Sequence, residues 1–183
     1  DVMRGEETQV AGLLKQYPDF EGAVCMPGTH CKWVEIKADE VVQFRTCMTG
    51  ELFSLLEHKS ILRHSMQSTE LDLEAYNLAV TEALVAESSV TAELFSLRAD
   101  DLLKGVAADV SRARLSAKLI ASEITAVRPF WLGHKVMILG SVQLASLYDR
   151  ALTIVGADVD FVDGEGLTVA GLIAARAMVG DAS

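Results

Sequence analysis

The spacing of apolar positions changes character along this chain, and each change marks a new kind of element. Residues 6–15, EETQVAGLLK, carry a helical pattern, with two carboxylates in the first turn, where the helix dipole favours them. Pro18-Asp19 breaks it. Residues 23–26, 32–37 and 41–48 then read as strands. In the last, VVQFRTCM, Val42, Phe44 and Thr46 fall on one face and Gln43 and Arg45 on the other. Ala38-Asp39-Glu40 is short enough for a hairpin loop, so residues 1–50 are predicted to form a three-strand antiparallel meander behind one helix.

From Thr49 the period lengthens. Residues 50–58 read as a helix, 66–73 as a polar loop, and helical patterns resume over 73–87, 91–104 and 106–127. In the second of these, Ala92, Phe95, Ala99, Leu102 and Leu103 form the stripe expected to face the core. KVMILG, 135–140, is a continuous apolar run ending in glycine, as in a strand buried on both faces. A helix over 141–155, a strand over 157–162 and a helix over 167–179 follow. Strand, helix, strand, helix predicts a parallel pair. The fold class is therefore α/β, with the meander and the two parallel strands in one mixed sheet and a helical block between them. The expected division is 1–50 meander, 51–130 helical block and 131–183 βαβα tail.

Composition narrows the choice of function. The 183 residues suffice to bury about 70% of the unfolded surface without staples. Sixteen basic against 26 acidic side chains give a net charge of −10, which argues against a nucleic-acid partner. Nucleotides stay open, because backbone N–H groups and one or two cations bind them locally. No signal peptide opens the chain and no apolar run approaches the roughly 20 residues of a membrane span, so no membrane is expected as a partner. Asp1 stands first without a methionine, which reads as part of something longer. Cys25, Cys31 and Cys47 are odd in number and form no CxxC pair, so they are expected as free thiols in a reducing, cytoplasmic setting. The four histidines show no ligand spacing, and no metal site is expected from the residues.

Three places invite chemistry. Pro27-Gly28-Thr29-His30 lies between two strands; it is either a plain hairpin connection or a turn that holds an anion on its backbone N–H groups, with Lys32 in reach of it. Gly140-Ser141 ends a buried strand and opens a helix; it is either a tight turn or a ligand edge, since ligands gather at the carboxyl ends of strands in α/β sheets. Thr49-Gly50 reads as a helix N-cap with glycine at the first helical position. Asp100-Asp101 are neighbours on a helix and diverge by about 100°, so they are expected on a solvated face with Arg98 as partner.

The order of elements resembles the C-terminal lobe of the actin–hexokinase superfamily, with its actin-like, ribonuclease H-like lobe. The segments DVMRGEETQVAGLL, CMPGTHCKWVEI with TCMTGELFSLL, and VMILGSVQLASLYDRAL sharpen this, and the similarity continues through LFSLRADDLLKG and SRARLSAKLIASEI. In this order they are similar to the 2-dehydro-3-deoxygalactonokinase family. The resemblance implies transfer of the γ-phosphoryl of ATP, with Mg²⁺, to the 6-hydroxyl of 2-dehydro-3-deoxy-D-galactonate in galactonate catabolism. It also implies a first lobe carrying a DxGTT phosphate loop, which this sequence does not contain. Where the family's turn has serine, this chain has Cys31, a weaker donor should that position touch phosphate.

The resemblance also implies roles. Gly5-Glu6-Glu7 occupies the place of a glycine–aspartate segment whose carboxylate acts as base; Glu6 aligns most directly, Glu7 is the alternative, and both remain ordinary first-turn residues on the other reading. Arg4 is either a fork for the substrate carboxylate or a surface arginine paired with Glu7 or Asp1. Gly28 and Thr29 would cradle phosphate, with His30 and Lys32 assisting; His30 otherwise caps the turn, and Lys32 is otherwise a solvated strand residue. Trp33 is expected in the core. Gly140, Ser141 and Gln143 would meet the nucleotide, with Leu144 a weaker candidate. The rival readings are another sugar or sugar-acid kinase of the same fold, or a non-catalytic nucleotide- or sugar-acid-binding module. The sequence leaves the oligomeric state open, a homo-oligomer included.

Overall fold

The structure is a computed structural model and describes residues 1–86 and 89–180. Glu87, the expected last residue of one helix, lies outside the described residues. Five strands form one mixed sheet in the order β3-β2-β1-β4-β5. These are β1 (Gly22–Met26), β2 (Cys31–Lys37), β3 (Glu40–Cys47), β4 (Lys135–Leu139) and β5 (Asp158–Val162). The first three pair antiparallel, and β1–β4 and β4–β5 pair parallel. The meander and the parallel pair join in one mixed sheet, as expected; the strand that joins them is β1.

Alternation along the central strands separates two cores. Ala23, Cys25, Cys31, Trp33, Val136 and Ile138 face one layer, built by α3 (Leu73–Val85), α5 (Ala108–Ala126), the single turn α6 (Arg128–Trp131) and α7 (Val142–Ile154). Val24, Met26, Val34, Ile36, Met137 and Leu139 face the other, built by α1 (Glu6–Gln16) and α8 (Gly164–Gly180). Strands covered on both sides need apolar residues at every position, which accounts for the unbroken run in β4. The alternation expected in β3 is interrupted by a register shift opposite Glu35 and Ile36, and Val41 and Val42 are both exposed on this edge strand.

A third cluster lies away from the sheet. Leu62 and Met66, at and beside the 3₁₀ turn Ile61–Ser65, pack on Leu97 of α4 (Val90–Lys104) and on Leu115 and Leu119 of α5. This corrects the stripe expected on α4. Phe95, Leu102 and Leu103 are exposed by 65%, 64% and 82%, and the buried face is the one carrying Leu97 with Val90 and Leu94. Both stripes have helical spacing. Contacts to other elements hold the second in place: Asp100 pairs with Arg114 of α5 at 2.7 Å, and Asp101, bound by Arg98 of its own helix at 2.5 Å, accepts from Ser65 at 2.7 Å. The expected pairing of Arg98 holds for Asp101, but the solvated face expected for the two aspartates does not: their side chains are only 17% and 26% exposed and bind Arg114 and Ser65 on neighbouring elements.

Helices α1 and α8 touch backbone to backbone. A Cβ added at Gly12 would lie 2.0 Å from the Leu167 carbonyl oxygen, and one at Gly171 would lie 1.9 Å from that of Thr8. Rigid backbone cannot move aside for such a group. Gly171→Ala is expected to lower stability by about 1–3 kcal/mol, the usual cost of overpacking, read as a lower urea midpoint. An unchanged midpoint would mean that the two helices are free to separate.

Candidate active site

The turn between β1 and β2 meets the N-terminus of α2 (Thr49–Lys59) at close range. A Cβ on Gly50 would sit 2.3 Å from the Gly28 carbonyl oxygen, so only glycine allows this approach. The Glu51 N–H donates to the Thr29 carbonyl at 2.9 Å, and His30 Nε2 lies 2.5 Å from the Glu51 carboxylate. His30 therefore braces the turn against α2. At Gly28 itself an added Cβ would meet no protein atom within 4 Å. Packing does not demand glycine there; its bare backbone faces open space.

Thr49 departs from the expected role of N-cap. The residue preceding the helix is Met48, no side chain caps it, and the Thr49 hydroxyl donates instead to buried Glu123. That carboxylate also accepts from the Trp33 indole N–H at 2.7 Å and from the Tyr148 hydroxyl at 3.0 Å. Three donors on two oxygens satisfy a buried acceptor that has no cation partner among the described residues. Glu123 was not singled out from the sequence. Its signal was its position: it shares a helical face with Ile120 and Val127, both core residues, so a charge there had to find partners.

A cleft of about 640 Å³ opens between the turn, α2, α5 and α7. Gly28, Thr49, Gly50, Ser141, Gln143 and Tyr148 all line it. Gly140 stands just behind, where an added Cβ would lie 3.4 Å from the Pro27 carbonyl oxygen. Two sites, at Gly28 and at Ser141, far apart in sequence thus share one hollow. Arg112, also unmarked by sequence, lines the cleft beside the Phe53 ring, its guanidinium 5.3 Å from the ring centroid and paired with Glu57.

The remaining predicted residues form a chain beside the turn. Lys32 sits on the α1–α8 side of β2 by the same alternation that buries Val34. Its side chain is only 5% exposed, so it is no solvated strand residue. The ammonium lies 3.0 Å from Glu6 Oε1 and donates to the His30 carbonyl at 3.1 Å. Glu6 also accepts from the Arg4 backbone N–H at 2.7 Å, and Glu7 from that of Gly5 at 2.7 Å. Partial burial pushes the Glu6 carboxyl up, but the Lys32 and backbone hydrogen bonds outweigh it and hold the group below its ordinary range. Arg4 is exposed, and its guanidinium makes no ion pair among the described residues. Cys31 is buried, 3.9 Å from Cys25 Sγ, on the core side of the strand. It points into packing rather than toward the surface of the turn, and burial pushes both thiols up. All three cysteines are free, as expected.

Among the described residues no three His, Cys, Asp or Glu side chains cluster to hold a metal ion, and no helix is long and apolar enough to cross a membrane. A five-stranded mixed sheet of order 3-2-1-4-5, helices on both faces, and a cleft at one end of its central strands define the actin-like, ribonuclease H-like class of α/β lobe. Within that class the chain belongs to the 2-keto-3-deoxy-galactonokinase family, whose sequence pattern matches residues 1–175. It is 41% identical over 179 residues to a Rhizobium meliloti (strain 1021) protein assigned as a 2-dehydro-3-deoxygalactonokinase, and 32% identical over 173 residues to the 2-dehydro-3-deoxygalactonokinase of Escherichia coli (strain K12). These matches cover 96% and 94% of this chain and 58% of each relative. A crystal structure from Sinorhizobium meliloti, assigned to the same activity, superposes with a TM-score of 0.90 at 41% identity, over 97% of this chain and 61% of that one. Component A of the Acidaminococcus fermentans (R)-2-hydroxyglutaryl-CoA dehydratase shares the fold at 14% identity, with a TM-score of 0.56 over 92% of this chain and 64% of that one.

The Lys32–Glu6 pair has a pH signature. A carboxyl held low in the folded state adds stability above its unfolded pKa of about 4.3, and that stability is lost as pH falls through the folded value. Lys32→Met removes the pairing. The unfolded chains titrate alike, so the difference in unfolding free energy between wild type and K32M is expected to be constant near neutral pH and to shift in favour of K32M as pH falls through the folded Glu6 carboxyl, which the pair holds low in wild type. Urea titrations from pH 7 to pH 3 check this; a difference that does not vary with pH would show that the pair does not hold Glu6 low.

Proposed function

We propose that this chain forms part of an ATP-dependent kinase that phosphorylates 2-dehydro-3-deoxy-D-galactonate at its 6-hydroxyl. The observation that carries the reading is the shared cleft, in which the Gly28 turn and the Ser141–Gln143 edge at the carboxyl end of β4 face one another. That is where α/β sheets bind ligands, and family membership supplies the substrate class. The bare backbone at Gly28 suits close approach of a phosphate. Gly28 and Thr29 cradle the phosphates; Gly140, Ser141 and Gln143 take the nucleoside. Arg4, exposed beside the candidate base, is free to meet the substrate carboxylate.

The chemistry asked of the protein is mainly placement. The sugar 6-oxygen forms a bond to the γ-phosphorus as the bond from that phosphorus to the β,γ-bridging oxygen breaks, and ADP leaves. Glu6 orients the hydroxyl and receives its proton. A carboxylate held low by Lys32 is ionised and ready to accept, and as a weak base it suits a loose transition state in which proton transfer comes late. Glu7, which aligns less directly with the family's base position, is the weaker candidate. Mg²⁺ supplies charge neutralisation on the polyphosphate when ATP is bound. The described residues offer it no cluster of their own, so phosphate oxygens and water fit it better than protein ligands. Free, buried thiols suit a cytoplasmic setting.

The test is ADP release from ATP by the complete gene product, with the galactonate compound and its gluconate epimer in parallel. Turnover is expected to favour the galactonate compound and to fall by about 10²–10⁴-fold in Glu6→Gln. Turnover surviving in E6Q moves the base elsewhere. Preference for the gluconate epimer changes the substrate, and nucleotide binding without any ADP release turns the reading to a binding module.

A further inference from the structure

Helix α4 has two apolar faces, and the fold covers one of them. Leu94 and Leu97 pack inward on the third cluster. On the opposite side Phe95, Leu102 and Leu103 stand exposed, with exposed Ala92 and half-buried Ala99 in the same stripe. A helix that is apolar on both sides is one that packs on both sides. The charges sharpen this. All five charged residues of α4 lie outside the outer stripe and are paired within the chain: Arg98 with Asp101 at 2.5 Å, Asp100 with Arg114 and with Lys104 at 2.7 Å, and Glu93 with Lys118. The stripe can therefore leave water without stranding a charge. Its three large side chains offer roughly 400 Å² of apolar surface, the size at which an exposed patch marks an interaction site. No residue of α4 lines the cleft, so a body that closes on the cleft meets other elements.

We propose that this outer face of α4 is the interface of a weak symmetric dimer, in which α4 packs antiparallel on α4 of a second copy. Two features select a second copy as the occupant. The first is that the stripe complements itself. A two-fold axis through Ala99 sets Phe95, four residues before it, against Leu103 of the second copy, four residues after it. Ala99 is small and lets the helices approach. Phe95 of each copy then fills the hollow over Ala99, beside Leu102 and Leu103 of the other, as a knob fills a hole. Antiparallel packing also opposes the two helix dipoles. The second feature is charge. The chain carries −10, so most contacts between two copies would bring carboxylates together, whereas this stripe carries none. The two stripes bury about 800 Å² of apolar surface between them, which with a polar rim falls at the low end of specific interfaces. The dimer is therefore reversible and concentration-dependent.

Sedimentation velocity of the complete gene product, over roughly 1–200 μM, tests this. Wild type is expected to pass from monomer to dimer across that range. Leu103→Glu sets a carboxylate against Phe95 of the second copy and should weaken the dimer by at least about tenfold. Leu103 is exposed in the single chain, so the fold tolerates the change. Leu172→Glu, on the exposed face of α8, should leave the dimer as it is. Ala99→Cys supplies a readout that does not depend on affinity. Close to the two-fold axis the introduced thiols of two copies meet, and mild oxidation should give a covalent dimer that reductant reverses. Wild type and Leu172→Cys should give none.

Wild type that stays monomeric throughout overturns the proposal. So does a dimer that survives L103E, or one that is lost equally in L172E. A monomer whose Tm falls in L103E overturns it as well and gives the face to another part of the same chain. A dimer in which A99C forms no cross-link overturns the antiparallel pairing. None of these outcomes bears on the kinase reading, which ADP release decides separately.

Discussion

Glu123 receives the indole N–H of Trp33 and the hydroxyls of Thr49 and Tyr148 in the interior, on the α5 side of the sheet. A carboxylate buried there without a cation is costly unless every lone pair in use is met by a donor. Meeting it ties β2, the start of α2, α5 and α7 to one point. The start of α2 in turn carries Gly50 and Glu51, which press on the β1–β2 turn and hold His30. The shape of the cleft mouth follows from this chain of contacts, so a change at Glu123 reaches the turn without touching it.

The other face of the sheet is organised by a backbone contact. Glycines at 12 and 171 let the first and last helices cross with no side chain between them. That crossing sets where the N-terminus of α1 lies, and with it Glu6. Lys32, on the same face of β2, then links Glu6 to the His30 carbonyl. The candidate base and the candidate phosphate turn are therefore fastened together at the start of β2 by one buried ammonium. A lysine that is as buried as this and has two oxygen partners is a strut before it is a ligand.

Family membership and the superposition with the Sinorhizobium meliloti structure agree with the topology, and the chain spans 58% of the curated relatives' length. The position where the family's turn carries serine shows why a motif must be read in its place. Cys31 alternates inward beside Cys25 and Trp33, so its chemistry is that of a core residue, and the substitution bears on packing near Glu123 rather than on a phosphate contact.

Periodicity by itself determined the elements and their order, because strand and helix periods are local and survive without knowledge of partners. The meander, the buried run of β4 and the glycine turns at 28 and 140 were legible that way, and cysteine number and spacing pointed to free thiols. The motifs carried the family. What the sequence could not decide was every choice between equivalent faces and partners. Two apolar stripes on α4 have the same spacing, and contacts from Asp100 to Arg114 and from Asp101 to Ser65 go with the buried one. Thr49 had a local cap to make and a distant carboxylate to reach, and took the carboxylate. Lys32 read equally as a phosphate contact or a solvated strand residue until Glu6, 26 positions earlier, was brought against it. Glu123 lay within a segment that carries the family resemblance but was not singled out there. Each depends on a pairing between segments far apart in the chain, and such pairings exist only once the sheet has brought those segments together.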